Sequence, residues 1–147
     1  SKSSQQFKKV LREVINFVSY APIMFVSALN GQRCNQILPK AKEMYLKSQG
    51  QVVNSELSEL ITQAFMRNPA PIYHGQPIQF YSARQLGDLP PKFELRVSNP
   101  KQFTSAYERY VKSIIRERYG YEGSVIKLRF VRRTKRRSRG EQLEEAA

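Results

Sequence analysis

The segment AYERYVKSIIRERYGYEGSVIKLRF, residues 106–130, predicts a helix that is followed directly by a strand. Its apolar side chains recur at spacings of three and four up to Tyr119, which is typical of one face of a helix. Gly120 is well suited to end that helix, because glycine readily adopts left-handed backbone. From Ser124 the pattern changes to alternation, with Lys127 and Arg129 on one face and apolar residues on the other. We therefore expect a helix to residue 119 and a strand over residues 124–131.

Two further strands are predicted before this helix. The segment KFELRVS, residues 92–98, alternates cleanly, and its apolar face is typical of a half-buried antiparallel strand. The segment PIQFYSARQL, residues 77–86, places Ile78, Phe80 and Ser82 opposite Gln79, Tyr81 and Ala83. A turn at residues 88–91 would pair the two strands. The segment NPAPIYHGQ, residues 68–76, contains two prolines and a glycine, and we expect it to be irregular.

A helix capped by Asn54 or Ser55 and reaching about Arg67 completes this unit. Residues 51–134 are therefore predicted to form an α+β domain, in which helices cover one face of a three-stranded sheet. Residues 1–50 form a second unit with the pattern helix–strand–helix. Its helices are expected at residues 4–19 and 33–48, and its strand, IMFV at residues 23–26, has the continuous apolar character of a strand buried on both faces.

Composition excludes several classes of protein. Of 147 residues, 40% are hydrophobic, which is enough for a folded core, but no apolar run approaches the roughly 20 residues that span a bilayer. The amino-terminal residues lack a signal-peptide pattern. The single cysteine, Cys34, excludes an internal disulfide and a cysteine-rich metal site. We expect a soluble protein of a reducing compartment.

Positive charge is concentrated near the carboxyl end. The formal net charge is +13, and residues 96–139 alone hold 14 basic and 3 acidic side chains. Such a cluster favours a polyanionic partner, and RNA or DNA is the default; the alternative is a solvated tail. Residues 135–147, basic and then acidic, are expected to be disordered. The candidate RNA-binding residues are Lys127, Arg129, Arg132, Arg133, Lys135, Arg136, Arg137 and Arg139.

No catalytic or metal site is predicted. The only histidine, His74, lies in a proline-rich loop with no partner evident from the sequence, and Cys34 is interpreted as an inert small residue. No acidic or Cys/His cluster has metal-ligand spacing, and no phosphate-binding loop is present. The motif G-x-x-G at residues 120–123 resembles the backbone clamp of RNA-binding KH domains. Glu122 would repel phosphate there, and a structural turn is the favoured interpretation.

The chain resembles the bacterial double-GTPase family Der, also called EngA. The resemblance rests on YAPIMFVSALNGQR (residues 20–33), the proline-rich segment to the PP-x-F strand (68–100) and the Y-x-R-Y helix with its glycine turn and last strand (106–130), in collinear order. It covers about residues 4–132. It implies that residues 51–134 are the family's KH-like carboxyl-terminal domain. Residues 1–50 would be the end of the second P-loop GTPase domain, with Ser27, Ala28 and Leu29 left over from its guanine-base loop.

The resemblance also implies a function. The family's KH-like domain takes part in binding the large ribosomal subunit and its rRNA during assembly, in the bacterial cytoplasm or in an organelle of bacterial origin. GTP and Mg²⁺ would be bound by the GTPase domains of the full-length protein, so no cofactor and no enzymatic activity are expected of this chain alone. The alternative is a protein-interaction domain that docks on and regulates the GTPase domains. An unrelated small enzyme is the remaining, least favoured hypothesis.

Overall fold

A computed structural model of the chain describes residues 2–133. Four α-helices and five β-strands occur there, with short 3-10 turns at Asn16–Val18, Cys34–Gln36 and Pro100–Gln102. The helices are α1 (Lys2–Val14), α2 (Ile37–Ser48), α3 (Asn54–Arg67) and α4 (Ser105–Tyr119). The strands are β1 (Ile72–Tyr73), β2 (Gln76–Pro77), β3 (Phe80–Asp88), β4 (Pro91–Val97) and β5 (Lys127–Arg132). No helix among these residues is long and apolar enough to cross a membrane.

The three-stranded sheet has the order β3-β4-β5, so that β4 is central. Strand β3 is antiparallel to β4, whereas β5 is parallel to β4 because α4 carries the chain back across the sheet. Leu95 of β4 is completely buried and lies between Ala83 of β3 and Phe130 of β5. Helices α3 and α4 add Leu57, Ile61 and further apolar side chains to the same core. The predicted α+β fold, with helices on one face of three strands, is confirmed.

The face assignment of β3 was predicted incorrectly at Ala83. The pairing with β4 shifts by one residue between Phe80 and Ser82, which is the signature of a β-bulge. An extra residue at Tyr81 reverses the alternation that follows it. Ala83, expected on the outer face, is therefore buried at 4% exposure.

The proline-rich segment is more regular than predicted. Strands β1 and β2 form a two-residue antiparallel hairpin in the stretch 72–77, part of which we expected to be irregular. Its two turn residues, His74 and Gly75, have φ values of 49° and 75°. Positive φ at both central positions is the backbone that two-residue hairpins require. His74 therefore has a turn-forming position in this structure.

The carboxyl end of α4 agrees with the prediction, whereas the cap at its start was not predicted. The Thr104 hydroxyl accepts the Tyr107 N–H at 3.2 Å, which satisfies one of the free amides of the first turn. Gly120 ends the helix at φ 72°, in the left-handed region.

The start of α3 was predicted incorrectly in its cap. The helix begins at Asn54, but neither Asn54 nor Ser55 caps it by a side-chain hydrogen bond. The Asn54 side-chain oxygen instead accepts the Gln85 N–H of β3 at 3.0 Å. One turn later the Ser58 hydroxyl accepts the Ala83 N–H at 2.9 Å. Helix α3 thus uses polar side chains to occupy the outer edge of β3.

Residues 2–50 depart most from the prediction. Helix α1 ends at Val14, before the expected residue 19. Residues 23–26 form no strand, and the nearest pairing is one isolated bridge between Ser27 and Gln32. A strand needs neighbours that satisfy its backbone, and no other strand lies beside this segment in the described residues. Helix α2 begins at Ile37, with Pro39 in its first turn, where a missing N–H costs little.

The apolar side chains of this segment are correspondingly exposed. Leu38 of α2 is 80% exposed, and Ile37 and Tyr45 are also exposed. On α1, Val14 and Phe7 are exposed as well. The segment therefore lacks a core of its own, in contrast to the sheet domain.

Candidate nucleic-acid interface

The face of the sheet turned away from α3 and α4 carries mainly cations. Side chains alternate along each strand, so Phe93, Leu95 and Val97 of β4 face the helices, and the residues between them in the sequence face the other side. The registers then place the outward residues of the three strands side by side. We call this surface the open sheet face; its charged residues are Arg84, Lys92, Glu94, Arg96, Lys127 and Arg129, and Ser82 and Val131 lie on it beside Arg96.

Glu94 is the one acid of the open sheet face. It lies between Arg84 on β3 and Arg129 on β5 in the pairing registers. Arg84 donates from Nε to Glu94 Oε1 at 2.8 Å, and the carboxylate side chain is only 7% exposed. A carboxylate covered in this way is stabilised by its cationic neighbours. Glu94 neutralises one of the five cations, so a surplus of positive charge faces solvent.

Two lysines of this face lie directly opposite each other. The parallel register pairs Lys92 of β4 with Lys127 of β5, and both side chains are exposed. Neither makes an ion pair with any acid in the part of the chain that the structure describes. Like charges directly opposite on neighbouring strands are destabilising. An anion placed between the two ammonium groups would relieve that repulsion.

The predicted RNA-binding residues are only partly brought together. Lys127 and Arg129 share the open sheet face, as expected, but alternation sends Arg132 to the opposite side, where its Nε lies 3.5 Å from the Ser98 carbonyl oxygen. Arg133 follows β5, with its guanidinium 4.9 Å from the centre of the Tyr81 ring. Lys135, Arg136, Arg137 and Arg139 lie outside the described residues.

Three cations of the open sheet face were missed by the sequence analysis. Lys92 and Arg96 lie on the polar side of KFELRVS, so the alternation of that strand contained the signal. Arg84 was harder to place, because the bulge at Tyr81 reverses the faces of β3.

The expected guanine-base loop is a tight turn. Ser27 donates its N–H to the Gln32 carbonyl at 3.0 Å, and its own carbonyl lies 3.4 Å from Cys34 Sγ. Leu29 at the tip is completely exposed, and Ala28 is exposed beside it. Within residues 2–133, no three His, Cys, Asp or Glu side chains are grouped so that they could hold a metal ion.

The G-x-x-G turn connects the two halves of the chain. Gly123, at φ 76°, donates its N–H to the Tyr20 carbonyl at 3.2 Å. Arg116 of α4 stacks its guanidinium 4.1 Å from the Tyr20 ring centre and donates to the carbonyls of Tyr121 (3.3 Å) and Ser124 (3.0 Å). Arg116 is half-buried at this contact between residues 2–50 and the sheet domain, which we call the joint. The turn is therefore engaged in contacts within the protein.

Burial affects the pKa values of groups in and near this joint. Desolvation lowers the pKa of Arg116, and the nearby Tyr20 opposes that shift. Tyr121, which is almost completely buried, has a raised pKa, chiefly because burial disfavours its phenolate.

Tyrosines of α4 belong to the core and not to a base-stacking surface. The Tyr107 hydroxyl donates to the Asn68 carbonyl at 2.7 Å, and the Tyr110 hydroxyl donates to the Ala64 carbonyl at 3.0 Å. Burial, aided by Tyr110, raises the pKa of Tyr107 to about 12. Both side chains thus fasten α4 to the end of α3.

Comparison with known proteins identifies the family. Residues 51–131 match the family model described as the KH-domain-like carboxyl-terminal domain of EngA bacterial GTPase enzymes. Proteins named GTPase Der are similar over most of the chain: that of Geobacter metallireducens is 33% identical over 131 residues, which are 89% of this chain and 30% of the relative. That of Alkaliphilus oremlandii is 37% identical over 130 residues, 88% of this chain and 29% of the relative. The chain thus spans about 30% of the length of these relatives. It belongs to the family of EngA-type KH-like carboxyl-terminal domains.

Proposed function

We propose that this chain is the ribosome-contacting part of a Der-type GTPase and that it binds ribosomal RNA of the large subunit in the cytoplasm. The observation that carries the proposal is the surplus of cations on the open sheet face, continued in sequence by the basic residues after β5. Clustered cations neutralise several phosphates at once and release their counterions, which is the main source of affinity for nucleic acids.

Nucleotide chemistry is assigned to the GTPase domains of the full-length protein, where GTP and Mg²⁺ would be held. The turn at Ser27–Leu29 offers one or two backbone hydrogen bonds, each worth about 1 kcal/mol. Even micromolar affinity requires about 8 kcal/mol. The chain alone should therefore neither bind nor hydrolyse GTP.

The RNA proposal is tested by the salt dependence of binding. Replacing four cations at and beyond the end of β5 by alanine should weaken binding to large-subunit rRNA and flatten the plot of log affinity against log salt, by roughly one unit of slope for each lost phosphate contact. The replaced residues are Arg132, Arg133, Arg136 and Arg137. A control variant loses four cations from the other end of the chain: Lys8, Lys9, Arg12 and Lys42. An unchanged slope in the first variant, or an equal change in the control, contradicts the assignment of these residues.

A second function is favoured by the exposed apolar side chains of residues 2–50. Val14 is 74% exposed and Leu38 is 80% exposed, and a soluble surface rarely collects such residues without a partner. We infer that this segment and the proline-rich hairpin dock on the GTPase domains of the same protein. Mixing the chain with isolated GTPase domains should give salt-resistant binding that Leu38→Glu abolishes. Binding that disappears with salt and ignores Leu38→Glu would reject this interface.

A further inference from the structure

We propose that the open sheet face binds the sugar–phosphate backbone of double-stranded RNA, and not the bases of a single strand. The inference rests on the proposed RNA-binding function and specifies the class of RNA. It depends on the absence of stacking side chains from the centre of this face, on the distribution of its cations and on the engagement of the G-x-x-G turn.

Bases of single strands need exposed aromatic surfaces on which to stack. The aromatic residues of β4 and β5, Phe93 and Phe130, both point to the helix side of the sheet. Tyr81, at the bulge of β3, is 39% exposed, and the Arg133 guanidinium lies over its ring, 4.9 Å from the ring centre. The paired residues of the open sheet face, which are its six charged residues with Ser82 and Val131, include no aromatic side chain.

The cations are arranged for backbone contacts. Lys92 and Lys127 form a pair across two strands, and Arg129 lies two residues further along β5, about 7 Å away. Arg96 extends the positive surface along β4, and Glu94 is held by Arg84. Charges spread over adjacent strands of a sheet can contact several phosphates simultaneously. Double-stranded RNA is recognised mainly in this way, by shape and by phosphate and 2′-hydroxyl contacts.

The usual route to single strands in KH domains is obstructed here. A G-x-x-G clamp needs its backbone free to approach phosphates. In this chain Gly123 donates its N–H to Tyr20 and lies against Met44 and Pro22, while Gly120 ends α4. The acidic side chain of Glu122 lies between the two glycines, 3.7 Å from Lys47. The open sheet face is therefore the better candidate for RNA contact.

The experiment measures binding of the complete chain to a labelled 16-base-pair RNA duplex and to one of its strands, by fluorescence anisotropy in about 0.1 M salt. The face variant is Lys92→Ala/Lys127→Ala. The matched control is Lys101→Ala/Arg109→Ala, which removes two exposed cations from the helix side of the domain. We expect the duplex to bind more tightly than the strand. The face variant should lose about tenfold or more in duplex affinity, since each lost phosphate contact removes one released counterion, and the control should change less than about threefold.

Other binding results would overturn either the inference about duplex RNA or the proposed RNA-binding function. Equal or tighter binding of the single strand overturns the inference and leaves the proposed RNA-binding function intact. The same holds if the face variant and the control bind the duplex alike, because the residues after β5 then carry the contact. Failure to bind either RNA, also at low salt, overturns the proposed function itself. Unchanged thermal unfolding of both variants confirms that the comparison concerns binding and not folding.

Discussion

Arg116 is expected to hold residues 2–50 against the sheet domain. Its guanidinium stacks on Tyr20 at 4.1 Å and donates to two carbonyls of the turn that follows α4. The stacking is worth about 1 kcal/mol. The 3.0 Å hydrogen bond from a charged donor adds about 1.5 kcal/mol, and the 3.3 Å bond adds less. The variant Arg116→Met, which keeps the apolar stem, should therefore loosen the turn that holds Gly123 by about 3 kcal/mol. Of this loss, only the stacking on Tyr20, about 1 kcal/mol, acts directly between residues 2–50 and the sheet domain.

Hydrogen exchange of the Gly123 amide reports on this joint, since that amide donates to the Tyr20 carbonyl. A loss of 3 kcal/mol predicts exchange about 100-fold faster, and Tyr20→Leu, which removes only the ring contact, should accelerate it about fivefold. In the double variant the two losses should overlap by about 1 kcal/mol, the value of the stacking. Arg109→Met, on the exposed side of the same helix, serves as the control.

This role of Arg116 is refuted if the Gly123 amide exchanges at the same rate in Arg116→Met and in the unmodified chain. It is also refuted if the losses in the two single variants simply add, because the ring and the guanidinium would then contribute independently.

Three further outcomes are expected. The pKa of Tyr107 rises from 10.0 to about 12 on folding, so the contribution of this group to stability is complete below pH 10 and is lost as the pH rises through 12. The variant Tyr107→Phe should therefore lose less stability between pH 9 and pH 12 than the unmodified chain does, as measured by thermal unfolding. Gly123→Ala should destabilise the joint by about 1–3 kcal/mol in urea unfolding, since φ is 76° and the new methyl would clash with Met44 and approach Pro22 to 3.2 Å; an unchanged midpoint would contradict this. Calorimetric titration with GTP and Mg²⁺ should give no heat of binding, and micromolar affinity would overturn the proposal that nucleotide is bound outside this chain.

The local sequence pattern was sufficient to predict most helices and strands of the sheet domain. The alternation of KFELRVS identified the face that Phe93, Leu95 and Val97 bury, and the spacing of α4 together with Gly120 identified the buried face and the end of that helix. These features depend on residues close in sequence. The bulge at Tyr81 depends instead on how β3 and β4 align across the turn. Ala83 is buried because of this bulge.

Residues 2–50 show the opposite case. The apolar run at residues 23–26 has the composition of a buried strand, yet a strand forms only when neighbouring strands accept and donate its hydrogen bonds. Composition reports what a segment can bury and not whether the partner is present. The prediction of a strand at residues 23–26, which rested on that composition, was therefore wrong.

Only part of the candidate site was predicted, because some of its residues are brought together by pairing between strands that are distant in sequence. Lys127 and Arg129 could be placed together by alternation within one strand. The contribution of Lys92 depended on the register between β4 and β5, which are separated in sequence by the whole of α4. A charged surface that is formed by several strands cannot be predicted from local sequence patterns alone.

The two margins of the sheet differ in a way that affects self-association. Along β3, backbone amides are already occupied by Asn54 and Ser58, so another molecule cannot add a strand there without displacing α3. The β5 margin carries Lys127 and Arg129, whose charges would repel a second copy approaching edge to edge. Concentrated solutions should consequently resist fibre formation at low salt and become more prone to it when salt or a polyanion neutralises that margin.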